Sequence, residues 1–293
     1  MSADPDIRLL FIIGSGRCGS SLVHELLAKH REVGFISNLD DNFPLLDSKG
    51  SFNNALFRSV LGNRTRKGGL RFAPSEAYRL IGKKVSPLYA NSCRNLTAAD
   101  VTPQLKQSFR DFFLERLVAQ SKPLFIHKYT GWSRVAFFRE IFPEALFVHI
   151  VRDGRAVANS FLQMPWWTGF RGPGSWYLGP LNDDQQARWE ASQRSFAVLA
   201  GLAWEILVDS VEADAAQLAT RGICTLRYED FLHDPVARLR RLCDFAALEF
   251  DSDFENRVRR RHIDPGREQA FIRDLSAPQV EALTASLAAP LNL

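Results

Sequence analysis

The run Gly14-Ser15-Gly16-Arg17-Cys18-Gly19-Ser20-Ser21 lies between the apolar stretch Leu9-Leu10-Phe11-Ile12-Ile13 and Leu22-Val23-His24-Glu25-Leu26-Leu27. It reads as a strand, a glycine turn and a helix. Glycines let backbone N–H groups come close to phosphate oxygens, and the start of the helix adds partial positive charge. Gly14, Gly19 and Ser21 keep the spacing of a nucleotide phosphate loop, but Ser20 stands where such a loop carries its lysine. The cation is Arg17, three residues earlier. Ser20 and Ser21 can donate hydroxyl hydrogen bonds beside it. The loop can hold a phosphate but lacks the usual grip on a γ-phosphate. The bland alternative is a tight turn with a serine cap.

A second stretch repeats the plan. Phe147-Val148-His149-Ile150-Val151 is followed by Arg152-Asp153-Gly154-Arg155, then Ala156-Val157-Ala158-Asn159-Ser160. Arg152 falls at a strand end. Ser160, two helical turns past Asp153, shares a face with the helix start. An arginine and a serine can together hold another phosphate; alternatively Arg152 and Asp153 form a local ion pair. The same run resembles a strand ending in a magnesium-binding aspartate. An arginine directly beside that aspartate, and the missing loop lysine, argue against it.

Four apolar segments must position these groups: Leu9–Ile13, Leu124–His127, Leu146–Val151 and Ile223–Arg227. Each precedes a polar turn and a helical pattern, which predicts an α/β fold with a parallel sheet covered on both faces. Ligands in such sheets bind at the carboxyl ends of the strands. Asp234-Pro235 predicts a helix start, Ser276 with Gln279 a capping box, and residues 192–218 one long helix with Phe196, Leu199, Ala203, Ile206 and Leu207 on its buried side. Two stretches break the alternation. Residues 38–120 form a mainly helical insertion. Residues 163–182 hold Trp166, Trp167, Phe170, Trp176 and Tyr177 among glycines and prolines; they are either a packed surface loop or a lid over an acceptor.

The chain has 293 residues, 46% of them apolar, which suits one large domain or two small ones. Its net charge of +4 suits a polyanionic ligand without demanding nucleic acid. The basic run Arg257-Val258-Arg259-Arg260-Arg261-His262 reads as a solvated helix face. The apolar runs are far shorter than the roughly 20 residues of a membrane span. No leader peptide is legible. The four cysteines, Cys18, Cys93, Cys224 and Cys243, lack metal spacing and point to a reducing compartment. The expected location is cytoplasmic, and no metal is expected.

Arg17-Cys18-Gly19-Ser20-Ser21-Leu22 resembles the 5′-phosphosulfate loop of the sulfotransferases that use 3′-phosphoadenosine 5′-phosphosulfate (PAPS), in the bacterial and tyrosylprotein types. Arg152 through Ser160 resembles their 3′-phosphate motif. Phe142-Pro143-Glu144-Ala145 and Arg227-Tyr228-Glu229-Asp230-Phe231 add to the likeness, which covers residues 9–35, 123–162 and 223–250. The resemblance implies a P-loop-like three-layer fold, a single sulfotransferase domain over 1–293, and PAPS as co-substrate. It assigns Gly16, Arg17, Cys18, Gly19, Ser20 and Ser21 to the 5′-phosphosulfate, and Arg152 and Ser160 to the 3′-phosphate. Tyr228 would lie near the adenine, and Lys128 near the sulfuryl group. Arg17 and Lys128 would stabilise the charge that develops on the leaving phosphate.

The general base departs from the family pattern. An ungapped match puts Ser37 and Asn38 where the tyrosylprotein type has a glutamate, and Thr130 where the cytosolic type has a histidine. Asp41 or Asp40 is the expected base, with Glu76 and then His127 behind them. His24, His30 and His149 are expected in structural or exposed positions. The acceptor site is expected from residues 38–120 and 163–182, for a hydroxyl of a small molecule that is apolar or flat. Two rival functions remain. One is a P-loop small-molecule kinase; the other is a non-catalytic nucleotide- or nucleic-acid-binding protein, whose binding would fall steeply with salt.

Overall fold

The computed structural model describes residues 7–46, 48–59, 72–217, 222–264, 266 and 268–287. Five parallel strands form one sheet: β1 (Leu9–Ile13), β2 (Val33–Gly34), β3 (Leu124–Lys128), β4 (Leu146–Val151) and β5 (Ile223–Arg227), in the order β2-β3-β1-β4-β5. The four apolar segments are strands, as expected, and Lys128 is the last residue of β3 rather than the first beyond it. β2, only two residues long, is too short to give a periodic signal. Register sets Ile12 opposite both Lys128 and Val148, and Val151 opposite Arg227. The carboxyl ends of β1, β3, β4 and β5 therefore open onto one edge.

Each strand of the sheet interior is covered on both faces. Leu10 and Ile12 of β1 point into one apolar cluster with Val23, Leu26 and Leu27 of α1 (Ser20–Leu27). Leu9, Phe11 and Ile13 point into the other. Phe11 is fully buried and stacks on Phe138 at 4.4 Å and on Phe147 at 5.5 Å between ring centroids. Burial of such a ring is worth about 1.5–3 kcal/mol.

The insertion contains α2 (Asn38–Asn42), α3 (Asn53–Arg58), α4 (Tyr78–Lys84), α5 (Leu88–Asn91) and the long α6 (Pro103–Gln120); residues 47 and 60–71 of it lie outside the described residues. The helix predicted over 192–218 begins later, at Phe196, and is preceded by the separate helix α9 (Asp183–Ala191), after α7 (Val135–Ile141) and α8 (Gly154–Leu162). Gln193 and Arg194 adopt left-handed φ of 55° and 60°, which breaks the helical path between them. The resulting α10 (Phe196–Ala215) is buried over most of its surface, with Asp209, Glu212 and Ala213 exposed. Phe196 at its first turn is also exposed to solvent rather than buried as the periodicity suggests. Position 218 falls outside the described residues.

Asp234 caps the helix Pro235–Phe245 by accepting from Ala237 N–H, and Ser276 and Gln279 make the capping box of Ala277–Ser286. Among the described residues no helix is long and apolar enough to cross a membrane.

Candidate active site

The glycine loop turns sharply between β1 and α1. Gly16 and Gly19 have φ of 85° and 91°, and Arg17 between them has φ of 56°. Glycine is required twice. A Cβ on Gly14 would lie 2.6 Å from Cys18 Sγ and 2.7 Å from Ile150 O. A Cβ on Gly19 would lie 2.1 Å from the ring of Tyr228. The loop is thus pressed against the start of the segment that follows β5. Cys18 turns its thiol into the core and is fully buried, so only its backbone can meet a ligand.

The two arginines expected to bind phosphates meet at this loop. Arg17 Nε donates to Ser160 Oγ of α8 at 2.8 Å. Arg152 Nη1 donates to Arg17 O at 3.1 Å, and its guanidinium lies 5.1 Å from the centre of the Tyr228 ring. Tyr228 stacks on Phe231 and leaves a ring face on the cleft. Asp153 caps α8 and is gripped by Arg155 at 2.7 Å, while Arg152 turns to Arg17 O and the Tyr228 ring. A carboxylate held by a guanidinium fork is poorly suited to a magnesium ion.

At the end of β3, Lys128 Nζ donates to Ser21 Oγ at 2.7 Å and lies 2.5 Å from Glu76 Oε1. The lysine is almost fully buried, while Glu76 keeps part of its surface open. Thr130 Oγ1 also donates to Glu76 Oε1, at 3.3 Å. Lys128 therefore joins the phosphate loop to a carboxylate from the insertion.

Asp40 and Asp41 do not reach this place. Asp40 Oδ2 accepts from Ser37 N–H, Ser37 Oγ and Asn53 Nδ2, and closes the capping box of α2. Asp41 Oδ1 accepts from the N–H groups of Arg79 and Leu80 in the first turn of α4. Both carboxylates hold the insertion together and neither lines the cleft. His127 is buried beside Tyr89, its Nε2 2.8 Å from the tyrosine oxygen. Burial, reinforced by Lys128, lowers its pKa to about 3. His24 and His149 are also buried, and burial lowers both, His149 to about 4. Of the acids considered as base, Glu76 is the carboxylate that the geometry brings to the loop; its place in the middle of a long insertion left no spacing by which the sequence could rank it first.

Gly16, Arg17, Gly19, Ser20, Ser21, Glu76, Lys128, Arg152 and Tyr228 line one cleft of about 1010 Å³. Tyr78, Ala90, Trp132, Trp166 and Tyr177 line it too. The aromatic stretch 163–182 divides between a buried cluster and the cleft. Trp167 stacks on Phe161 and meets Trp176 edge-on in a buried cluster, whereas Trp166 and Tyr177 face the cleft. On the far side, Arg261 and His262 also line it. The basic run is thus only partly a solvated face. Arg257 and Arg259 pair with Asp253 and Glu255 one helical turn back, but Arg261 leaves the helix and reaches Glu25 at 3.2 Å. The helical pairing pattern of the first two arginines hid the third.

A sulfotransferase family model matches residues 10–252. The chain belongs to the sulfotransferase family. Protein-tyrosine sulfotransferase A of Caenorhabditis elegans is 26% identical over 160 residues, which is 54% of this chain and 33% of that protein. The match thus spans about a third of the relative's length. Solved structures share the fold. The sulfotransferase domain of the curacin biosynthetic pathway superposes with a TM-score of 0.53 at 15% identity, over 95% of this chain and 97% of that one. The sulfotransferase domain of the Synechococcus PCC 7002 olefin synthase gives 0.51 at 18% identity, over 99% and 98%. Sulfotransferase STF9 of Mycobacterium avium gives 0.54 at 16% identity, over 96% and 75%. The α/β sheet of this sulfotransferase, flanked by helices, is the architecture of those enzymes.

Proposed function

We propose that this single-domain sulfotransferase moves a sulfuryl group from PAPS to a hydroxyl of a small, flat acceptor, with Glu76 as the general base. The observation that carries the reading is the placement of Lys128 between Ser21 of the phosphate loop and the Glu76 carboxylate. A donor phosphosulfate fits the loop, whose backbone runs through Gly16, Cys18, Gly19 and Ser20 with Arg17 beside them. Arg152 and Ser160 supply the second anion site that a 3′-phosphate needs, and the Tyr228 ring offers a flat face for a base.

In the transfer, the acceptor oxygen bonds to sulfur as the bond from sulfur to the 5′-phosphate oxygen breaks. The acceptor proton passes to Glu76, and adenosine 3′,5′-bisphosphate leaves. Arg17, Lys128 and the loop N–H groups offset the charge that builds on the departing phosphate. Lys128 also fixes the Glu76 carboxylate beside the phosphate loop. The Caenorhabditis elegans relative is named for protein tyrosine, which gives a second reading of the acceptor as a tyrosyl hydroxyl of a polypeptide.

The test compares thermal stabilisation by adenosine 3′,5′-bisphosphate, ADP and ATP–Mg²⁺, followed by turnover of labelled PAPS on hydroxylated acceptors. The bisphosphate should stabilise most. A preference for ATP–Mg²⁺ would sink the reading in favour of a kinase.

A further inference from the structure

Arg134, Ser92 and Ala90 also line the cleft. Arg134 is only 4% exposed. Its two side-chain hydrogen bonds both run from Nη1 to main-chain carbonyls, Trp132 O at 3.2 Å and Thr130 O at 3.5 Å. Its Nε is buried without a partner. Among the described residues no carboxylate pairs with it. Asp214, on the neighbouring α10, is taken up by Ser133 Oγ at 2.5 Å. Lys128 contrasts with it, because its charge is met by Glu76.

What surrounds the guanidinium is aromatic. It lies 5.2 Å from the centre of the Tyr89 ring and 5.1 Å from that of Tyr129. Two ring faces fix its position and offset part of its desolvation, but they do not neutralise it. A buried cation without a counter-charge is costly and is retained where something else supplies the charge. Ser92, another residue of the cleft lining, likewise has its Oγ buried with no partner. With Nη1 committed, the remaining edge of the guanidinium suits a two-oxygen acceptor, the geometry of a carboxylate.

We infer that Arg134, assisted by Ser92, binds a carboxylate on the acceptor, so that the substrate is a small hydroxy acid with its hydroxyl at Glu76 and its acid group at Arg134. This rests on the sulfuryl-transfer reading. Tyr78, Trp132 and Tyr177 also line the cleft and would flank a ring or chain joining the two groups. Arg134 acts here as an anchor; the proton and the sulfuryl group are handled elsewhere.

The test uses the full chain and two probes, 3-(4-hydroxyphenyl)propanoate and its methyl ester. Binding is followed by fluorescence of the tryptophans at the cleft, with adenosine 3′,5′-bisphosphate saturating so that the phosphate sites are occupied. The acid should bind at least tenfold more tightly than the ester. Arg134→Gln should abolish that preference, and Ser92→Ala should reduce it severalfold. Equal binding of acid and ester to the wild-type chain overturns the inference, as does a preference that survives Arg134→Gln. If Arg134→Gln fails to fold, the wild-type comparison and Ser92→Ala decide alone. Bisphosphate binding is recorded first. Its absence counts against the donor assignment only, and the dependence of the acid preference on Arg134 still decides the acceptor claim.

Discussion

Arg17 Nε and Ser160 Oγ, 143 residues apart in the chain, are joined by a hydrogen bond of 2.8 Å. With Arg152 donating to Arg17 O, this bond makes the proposed 5′ and 3′ phosphate sites one connected unit. Loss of either partner should be felt at both ends of a bound nucleotide. Ser160→Ala should weaken adenosine 3′,5′-bisphosphate by roughly ten- to a hundredfold, the worth of a hydrogen bond to a charged group. Arg152→Ala should remove the preference for the bisphosphate over AMP. Calorimetric titration of both nucleotides reads both effects, and a preserved preference in Arg152→Ala would show that the 3′-phosphate is held elsewhere.

Glu76→Gln should lower kcat by about 10²–10⁴-fold while bisphosphate affinity stays near wild type, as expected for loss of a general base. Asp40→Ala and Asp41→Asn should do the reverse. They remove capping and buried hydrogen bonds, so each should cost about 1–3 kcal/mol of stability with turnover per folded molecule retained. Denaturant titration alongside steady-state kinetics separates the two classes. Full activity in Glu76→Gln would move the base elsewhere.

Gly19→Ala tests the loop. A side chain at φ of 91° is strained and would strike the Tyr228 ring. The backbone strain alone is worth about 1–2 kcal/mol. The variant should keep its far-UV circular dichroism yet lose most bisphosphate affinity, because loop and adenine platform would be pushed apart together.

Stability should fall on the acid side. His24, His127 and His149 are held neutral by burial, with values of about 3 for His127 and about 4 for His149. Above about pH 6.5 the folded and unfolded chains carry the same charge at these positions. Below it the unfolded chain takes up protons first, so stability declines as pH falls, until the folded-state values are reached. The slope is about 1.4 kcal/mol per pH unit for each histidine. Chemical denaturation at pH 7.5, 6.0 and 5.0 checks this; a flat profile would mean that the histidines are accessible to protons in the folded state.

The two strand–turn–helix motifs of the proposed donor site were legible in the sequence because each is local. Each phosphate motif is a strand, a turn and a helix contiguous in the chain, so Arg17, Ser21, Arg152 and Ser160 could be named from spacing. The choice of base was not legible in that way. Glu76 reaches Lys128 from across a long insertion, and only packing determines which acid of that insertion arrives. Asp40 and Asp41 looked suitable by position, yet their carboxylates close helix ends. Arg134 carried no motif at all, since its meaning lies in what fails to pair with it. The end of the long helix predicted at residue 192 was set by two residues in left-handed conformation, which hydrophobic spacing does not register.

The strand order has a consequence for how the protein comes into being. β1 sits between β3 and β4, whose residues follow it by more than a hundred positions. During synthesis the phosphate loop emerges first and then waits, without Lys128, Arg152 or Tyr228, for most of the chain to appear. With the donor site as proposed, nucleotide binding should appear only once the whole sheet is complete, and it would then serve as a probe of refolding.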